Sequence, residues 1–310
     1  MKHIFLINPA AGVQDASECI RREIADAMRG TDYEVRVTEA PGHATRLVRE
    51  LAQAYAPEIC RFYACGGDGT LSETADGAVG VENAEIACLP YGTGNDFIKI
   101  FENTERFRSI EAQRDGDAME LDAMQVGDRC AINLCNAGID ARICDWVVRN
   151  KRRYRLPGAI LYKLSVLLHF FRRINRKYHI EIDGKPMDEE VALVVAANGS
   201  WYGGGFHAVP VSEPDDGLLN VVGIRRVSRW RFLRSVGDYA EGRHDRLGEL
   251  EICAKARQLT LESEEPEPVC MDGEIVMTRR VDIRVLPRAL RFVVPKGANL
   301  IRPGGERVTA

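Results

Sequence analysis

A chain of 310 residues, 45% of them hydrophobic, can bury a sizeable core, and its length suggests two domains. The formal net charge of −4 gives no global pull towards nucleic acid. Nine scattered cysteines, an odd number with no C-x-x-C pair, argue against a zinc site or disulfide framework and favour a reducing cytosol.

The first third alternates strand and helix. Ile4–Ile7 reads as a strand too short for a signal-peptide core, and it runs into Asn8-Pro9-Ala10-Ala11-Gly12. Ala16–Met28 has helical spacing, Tyr33–Thr38 alternates like a strand, and Ala44–Tyr55 forms a second helix after Pro41-Gly42. Ile59–Ala64 is a third strand, followed by Cys65-Gly66-Gly67-Asp68-Gly69-Thr70 and a helix expected over Leu71–Val79. Ile86–Leu89 is a fourth strand, ending at Pro90-Tyr91-Gly92-Thr93-Gly94-Asn95-Asp96. Near-continuous apolar strands alternating with helices predict a parallel sheet with helices on both faces. Ligands of such sheets sit at the carboxyl ends of the strands, where these loops emerge.

After about residue 115 the texture changes. Met119–Val126, Cys130–Cys135, Tyr178–Ile182, Val191–Ala197, Leu218–Ile224, Leu250–Cys253, Leu259–Glu262, Val269–Met271, Val281–Val285 and Leu290–Val294 read as short strands. Asp183-Gly184 marks a hairpin turn, and helices are expected near Ile160–Arg173 and Ser228–Tyr239. The pattern predicts a mostly antiparallel β-sandwich. The expected boundaries are an α/β domain over 1–116, joined by the tail at about 295–310, and a β-rich domain over 117–294.

Glycines between a strand and a helix let bare backbone approach a ligand, and a helix N-terminus favours an anion. A carboxylate in such a loop, Asp68, would repel phosphate unless a cation lay between them, which implies Mg²⁺. Each Gly-rich loop alone reads as a tight turn or a helix cap. Two at neighbouring strand ends are harder to explain so and suggest a phosphate and metal site. Met271-Asp272-Gly273-Glu274 lies between two strands, and its spacing alone favours a type I′ turn.

Asn-Pro-x-x-Gly, Gly-Gly-Asp-Gly-Thr-Leu-x-Glu, Pro-x-Gly-Thr-x-Asn-Asp and a late Asp-Gly-Glu, in this order, resemble the diacylglycerol kinase catalytic-domain family of lipid kinases. The family includes soluble bacterial diacylglycerol kinases and the sphingosine and ceramide kinases. The resemblance covers nearly the whole chain. Gly-Gly-Asp-Gly-Thr is shared with NAD kinases; the combination of four motifs is more specific.

The resemblance implies that Asn8, Pro9, Gly12, Thr38, Gly66, Gly67, Gly69, Thr70, Glu73, Gly92, Thr93 and Asn95 would hold ATP. Asp68, Asp96 and Asp122 would form a carboxylate network reaching Mg²⁺ through waters. Asp272 would be the general base, assisted by Glu274, with Lys163 near the cleft. Asp216 would hold a structural Mg²⁺ with backbone carbonyls near Glu213 and Leu218; by composition alone that segment is a solvated turn. Val13-Gln14 stand where a basic residue is frequent in the family, and Ser72 where Asn is usual. Asn136–Asp140 is a family-like turn. The loop Trp201–Phe206 resembles a segment near the acceptor cleft.

Residues 146–180 carry Arg149, Lys151, Arg152, Arg153, Arg155, Lys163, Arg172, Arg173, Arg176 and Lys177 and no acidic residue. The apolar run Leu156–Phe171 between them falls short of the roughly 20 residues of a spanning helix. Such a segment suits either an anionic membrane surface or an ordinary packed helix. With the resemblance, the expectation is a cytoplasmic kinase, peripheral at the inner membrane face, acting on a lipid at an anionic surface; homodimers occur in the family. A soluble kinase of the NAD kinase type and a non-catalytic lipid-binding protein on the same fold are the rival readings.

Overall fold

In the computed structural model, which describes residues 1–12, 16–154, 158–210 and 212–302, the strand-helix alternation forms β1 (Lys2–Ile7), α1 (Ser17–Ala27), β2 (Tyr33–Val37), α2 (His43–Tyr55), β3 (Cys60–Gly66), α3 (Asp68–Ala78) and β4 (Ala84–Pro90). The four strands are parallel in the order β4-β3-β1-β2. Alternation along each strand assigns the two faces. Ile4, Leu6, Phe62, Ala64, Ile86 and Cys88 meet Ala44 and Val48 of α2 and Leu71 and Ala75 of α3. Phe5, Ile7, Tyr63, Ala87 and Leu89 meet Ile20, Ile24 and Met28 at α1. Burying each large aliphatic or aromatic side chain contributes about 1.5–3 kcal/mol. The helix expected from Leu71 begins three residues earlier. Gly67, extended at φ −102°, is its N-cap, and Asp68 lies in the first turn.

A two-residue strand, β5 (Phe101–Glu102), and a short helix, α4 (Ile110–Arg114), lead into the second domain. It comprises β6 (Asp117–Val126), β7 (Arg129–Ala131), β8 (Leu134–Gly138), α5 (Ile139–Tyr154), α6 (Gly158–Phe171), β9 (Arg176–Ile182), β10 (Lys185–Ala197), β11 (Trp201–Tyr202), β12 (Phe206–His207), β13 (Leu219–Arg225), α7 (Arg229–Ala240), β14 (Glu251–Ala256), β15 (Gln258–Met271), β16 (Glu274–Val294) and, after it, β17 (Asn299–Leu300). Pairing among β6–β16 is antiparallel. Val194 and Ala196 of β10 face the sandwich interior with Val221, Leu259 and Ile283. Leu193, Val195 and Ala197 face the opposite way, towards Ile139, Ile143 and Tyr239 of the helices.

Two expected strand pairs are single long strands. β15 is interrupted by a register shift between Glu262 and Glu267, and β16 by one between Leu286 and Leu290, where Arg288 has φ +51°. The segment Asn136–Asp140, read as a turn, instead carries the end of β8 into the first turn of α5. Among its described side chains that helix has buried apolar residues only near its start, Ile139, Ala141 and Ile143, so its periodicity fades into the basic run. Asp183 and Asp272 both have positive φ and each precedes a positive-φ glycine, the geometry of the expected hairpin turns. No helix among the described residues is long and apolar enough to cross a membrane.

β16 joins the two sheets. Its end pairs parallel with β4, Phe292 opposite Ile86, and β17 pairs with β5. Phe292 stacks on Phe101 with ring centroids 5.6 Å apart. Beside this seam Arg61 and Glu85 form a buried ion pair at 2.8 Å. Arg61 also donates to the carbonyls of Gln113, Arg114 and Gly116, and Glu85 accepts from Arg291 of β16 at 2.7 Å. The pair therefore ties β3, β4, β16 and the end of α4. Removing one partner of a buried pair costs about 3–5 kcal/mol because the other charge is stranded. Arg61→Met is expected to lose stability in that range by urea denaturation; a loss below about 1 kcal/mol would contradict this role.

Candidate active site

Three loops leave the carboxyl ends of β1, β3 and β4 and touch one another through bare backbone. A Cβ on Gly92 would lie 2.4 Å from Gly67 Cα, and one on Gly67 would lie 3.1 Å from Gly92 Cα. Gly12, at φ +81°, would bring a Cβ within 3.2 Å of the Tyr91 carbonyl. A Cβ on Gly66 would collide with the Thr70 side chain, whose hydroxyl accepts from Asn8 Nδ2 at 2.9 Å. Asn8 Oδ1 in turn accepts from the Ala10 amide at 2.9 Å, fixing the turn through Pro9. A Cβ on Gly69 would meet nothing within 4 Å, so open space lies beside the first turn of α3. Bare loops, a helix N-terminus and that space suit a polyphosphate.

Asp68 and Asp96 meet at the rim of these loops. The Asp68 carboxylate accepts from the Asp96 amide at 2.6 Å and from the amides of Asn95 and Phe97. Burial, and then the neighbouring Asp96 charge, hold the Asp68 carboxyl above its ordinary range. Asp96 pairs with Lys99 and accepts from the Gly204 amide at 2.8 Å. Lys99 lies 5.8 Å from the Trp201 ring centroid. A buried and a half-buried carboxylate against one lysine leave negative charge for a cation. Mg²⁺ uses one or two carboxylates together with water and phosphate oxygens, so this pair fits it. Among the described residues no three His, Cys, Asp or Glu side chains converge on a metal position, which such a site does not need.

Asp272 approaches from the other domain. Its positive φ turns the β15–β16 hairpin, and its side chain reaches the backbone between β7 and β8. The carboxylate accepts from the amides of Ile132 at 2.9 Å, Leu134 at 2.9 Å and Asn133 at 3.2 Å, and from the Ser72 hydroxyl. These bonds favour the ionised form. Burial outweighs them and pushes the carboxyl up to about 6. The hairpin reading and the functional reading therefore describe the same residue. Asp68, Thr93, Asp96, Asn136, Tyr202, Gly204 and Asp272 share the lining of one cavity of about 330 Å³.

Several expected members lie elsewhere. The Asp122 carboxylate is turned away from Asp68 and Asp96: it accepts from the amides of Gly217 at 2.7 Å and Arg288 at 2.8 Å, tying two turns. Glu274 forms a two-pronged ion pair with Arg129 and does not line the cavity. Glu73 accepts from the Ala44 amide at 3.2 Å and so caps α2, whose N-cap Gly42 offers no side chain. Thr38 is buried, its amide bonded to the Ile7 carbonyl at 2.9 Å. Asn95 donates to the Gly92 carbonyl at 2.7 Å, bracing its own loop. At the expected second metal position, Lys255 pairs with both Glu213 and Asp216, and Asp216 also accepts from the Leu218 amide at 2.9 Å. In this structure the Lys255 ammonium neutralises both carboxylates. Lys163 is carried by α6, but its side chain and the Val13-Gln14 pair lie outside the described residues.

Lys99, Ser72 and Gly204 are the contributors that sequence reasoning did not assign. Lys99 is three residues beyond Asp96 on a 3₁₀ turn, a spacing that could have suggested the pair. Ser72 was visible only as a departure from the usual Asn, and it bonds Asp272 directly.

An α/β domain and a β-sandwich meeting over Asp68, Asp96 and Asp272 define a kinase-like two-domain architecture. Residues 2–126 match the diacylglycerol kinase catalytic domain, and residues 133–294 match the YegS C-terminal NAD kinase β-sandwich-like domain. The chain belongs to this diacylglycerol kinase-like family of lipid kinases. A "Probable lipid kinase YegS-like" of Pseudomonas aeruginosa is 29% identical over 294 residues, 94% of each chain. A protein of the same description from Chromohalobacter salexigens is 26% identical over 276 residues, 88% of this chain and 87% of that one. A solved diacylglycerol kinase structure from Bacillus anthracis shares the fold with a TM-score of 0.66 at 20% identity, covering 98% of both chains.

The aspartate carboxyl carbons provide a direct check by NMR titration. One resonance, lost in Asp272→Asn, is expected to titrate near pH 6. A midpoint below 4 for that resonance would contradict the burial described above.

Proposed function

We propose that the protein transfers the γ-phosphate of ATP to a lipid hydroxyl, with diacylglycerol or a related lipid as acceptor. The observation that supports this most is the shared cavity, into which one domain brings Asp68 and Asp96 and the other brings Asp272. Phosphoryl transfer needs positioning and charge neutralisation more than covalent help. Asn8, Gly12, Gly66–Thr70, Gly92 and Thr93 hold the nucleotide. Asp68 and Asp96 hold Mg²⁺, which when bound neutralises phosphate charge. Lys99 orients Asp96. Asp272 accepts the proton of the lipid hydroxyl as its oxygen attacks phosphorus; three amides and the Ser72 hydroxyl take up its roughly four acceptor positions, so the lipid hydroxyl takes the place of the rotatable Ser72 hydroxyl. A base whose carboxyl lies near 6 is ionised at neutral pH and close to the most effective range.

The same reading places the protein on a membrane surface. Ile160, Leu167 and Phe171 of α6 and Trp230 and Leu233 of α7 are exposed, each between 47% and 74% accessible. Exposed Arg172, Arg173, Arg229, Arg231 and Arg234 surround them. Apolar insertion flanked by cations suits an anionic lipid face.

A transfer screen with γ-³²P-labelled ATP across a lipid panel, with Asp68→Ala as blank, tests the activity. Labelled lipid is expected from the native protein only. Label on NAD⁺ without lipid would replace this reading with a soluble kinase, and lipid binding without turnover with a binding protein. The pH dependence has a definite sign. The base must be unprotonated, so kcat/KM is expected to rise about tenfold per pH unit below 6 and to level above it, with Asp272→Ala losing at least about 10²-fold at pH 7.5. A flat profile between pH 5 and 8 would remove Asp272 from the base role. In liposome co-sedimentation, binding is expected to need anionic lipid and to weaken with salt; binding indifferent to both would contradict the surface-charge account.

A further inference from the structure

Two cysteine thiols line the cavity that holds Asp68, Asp96 and Asp272, and the transfer proposed above uses neither. Cys270 stands on β15, two residues before Asp272, and lies opposite Asn136 of β8, so the side chains of Cys270 and Asn136 share one face of the sheet. Cys144 is on α5, one turn beyond Asp140, and residues four apart lie on the same side of a helix. Asp140 holds that side of α5 to the sheet. Its carboxylate accepts from Asn136 Nδ2 at 3.3 Å and from the Tyr202 hydroxyl at 2.6 Å. The succession Asp140, Asn136, Cys270 therefore sets Cys144 over Cys270, and the two thiols are hydrogen-bonded to each other.

That bond has a direction. Cys270 is buried and donates its S–H to Cys144, which is half-buried and lines the cavity. The donation holds the Cys144 thiol below its ordinary range in spite of burial. The other eight cysteines lie above theirs: Cys19 through its bond to Glu23, Cys270 through Cys144, and the rest through burial. The thiolate is the form that attacks an oxidant, and a second thiol beside it resolves the first oxidation product. A molecule the size of hydrogen peroxide fits easily in a cavity of about 330 Å³. Nucleophile, resolving thiol and access thus meet at one place, beside the proposed base.

We infer that Cys144 and Cys270 are a modification site, which hydrogen peroxide oxidises to a disulfide across the wall of the active-site cavity. The Cys144 thiolate attacks one peroxide oxygen and the O–O bond breaks. The sulfur becomes a sulfenic acid, and the departing hydroxide leaves as water with the proton that Cys144 gave up. The Cys270 sulfur then attacks the Cys144 sulfur, the S–O bond breaks, and a second water leaves with the Cys270 proton. Two thiols have lost two electrons and two protons, and one peroxide has become two waters. A dithiol reductant reverses the reaction by exchange. The new bond draws the sulfurs closer than hydrogen-bond contact, so α5 or the end of β15, which carries Asp272, must shift. A displacement of about 1 Å at a reacting group costs up to about 10²-fold in rate. The site itself stands without the kinase reading; its effect on transfer rests on that reading.

Peptide mapping without reductant tests the site on the native protein. After hydrogen peroxide, alkylation and digestion, the dominant linked peptide is expected to join Cys144 to Cys270 and to vanish with a dithiol. Both residues recovered as free thiols, or a dominant link through the exposed Cys19 or Cys253, would overturn the proposal. In Cys270→Ala the oxidation is expected to stop at the sulfenic acid, so dimedone should label Cys144; label on other cysteines but not on Cys144 would contradict its role as the attacking thiol. Lipid phosphorylation tests the consequence. The native rate is expected to fall at least about tenfold with peroxide and to return with dithiol, while Cys144→Ser keeps its own untreated rate within about twofold. An equal fractional loss in both proteins, or an unchanged rate in fully linked native protein, would overturn the effect on transfer. The expected link in a protein whose reduced form phosphorylates no lipid would leave the modification site standing and remove the kinase reading.

Discussion

Three aspartates at one seam, Asp96 and Asp272 buried and Asp68 half-buried, set the main constraint on this molecule. A buried carboxylate is tolerated only when hydrogen bonds or a counter-charge replace the water it has lost. Here the replacements come mostly from backbone amides. The stretch 132–134 serves Asp272, the turn 95–97 serves Asp68, and Gly204 with Lys99 serves Asp96. Several of these bonds cross between domains. Gly204 brings the second domain to Asp96, Ser72 brings the first to Asp272, and Asp76 of α3 accepts from the Cys130 amide at 2.8 Å. The groups proposed to carry the chemistry are thus also joints of the two domains. A change in the angle between domains would alter both the charge environment and the reacting geometry.

The glycines follow from the same seam. Gly67 and Gly92 are bare because the two loops approach to backbone contact, and Gly94 because a Cβ there would lie 2.7 Å from the Asp68 carboxylate. Gly69 is different: nothing in the chain crowds it. Packing explains the first three glycines; the fourth is exposed at the first turn of α3.

The sequence made the strand-helix alternation legible because both faces of the parallel sheet are covered, so its strands are apolar throughout. Asp68, Asp96 and Asp272 were also legible, each in a glycine-bearing segment, but spacing alone gave only turns and caps; the four-motif resemblance is what grouped them as one site. The residues that went elsewhere did so for reasons remote in sequence. Asp122 is claimed by amides 95 and 166 positions away, Glu274 by Arg129, and Asp216 by Lys255. No local pattern announces such partners. Glu73 belongs to a motif yet serves α2, because that helix begins on a glycine and needs a side chain from outside. Helix α5 was missed because its later turns are a basic run without apolar periodicity, and the Asp140–Tyr202 network was missed because its members come from distant segments.

The account turns on Asp272 acting on the acceptor side while the first domain holds the nucleotide. Single-turnover transfer separates those two tasks. Asp272→Ala preloaded with Mg²⁺ and γ-³²P-labelled ATP would be mixed with excess lipid, beside native protein treated the same way. The expected result is unchanged nucleotide affinity with no burst of labelled lipid in the variant and a full burst in the native protein. A burst of native amplitude and rate from Asp272→Ala would contradict the account.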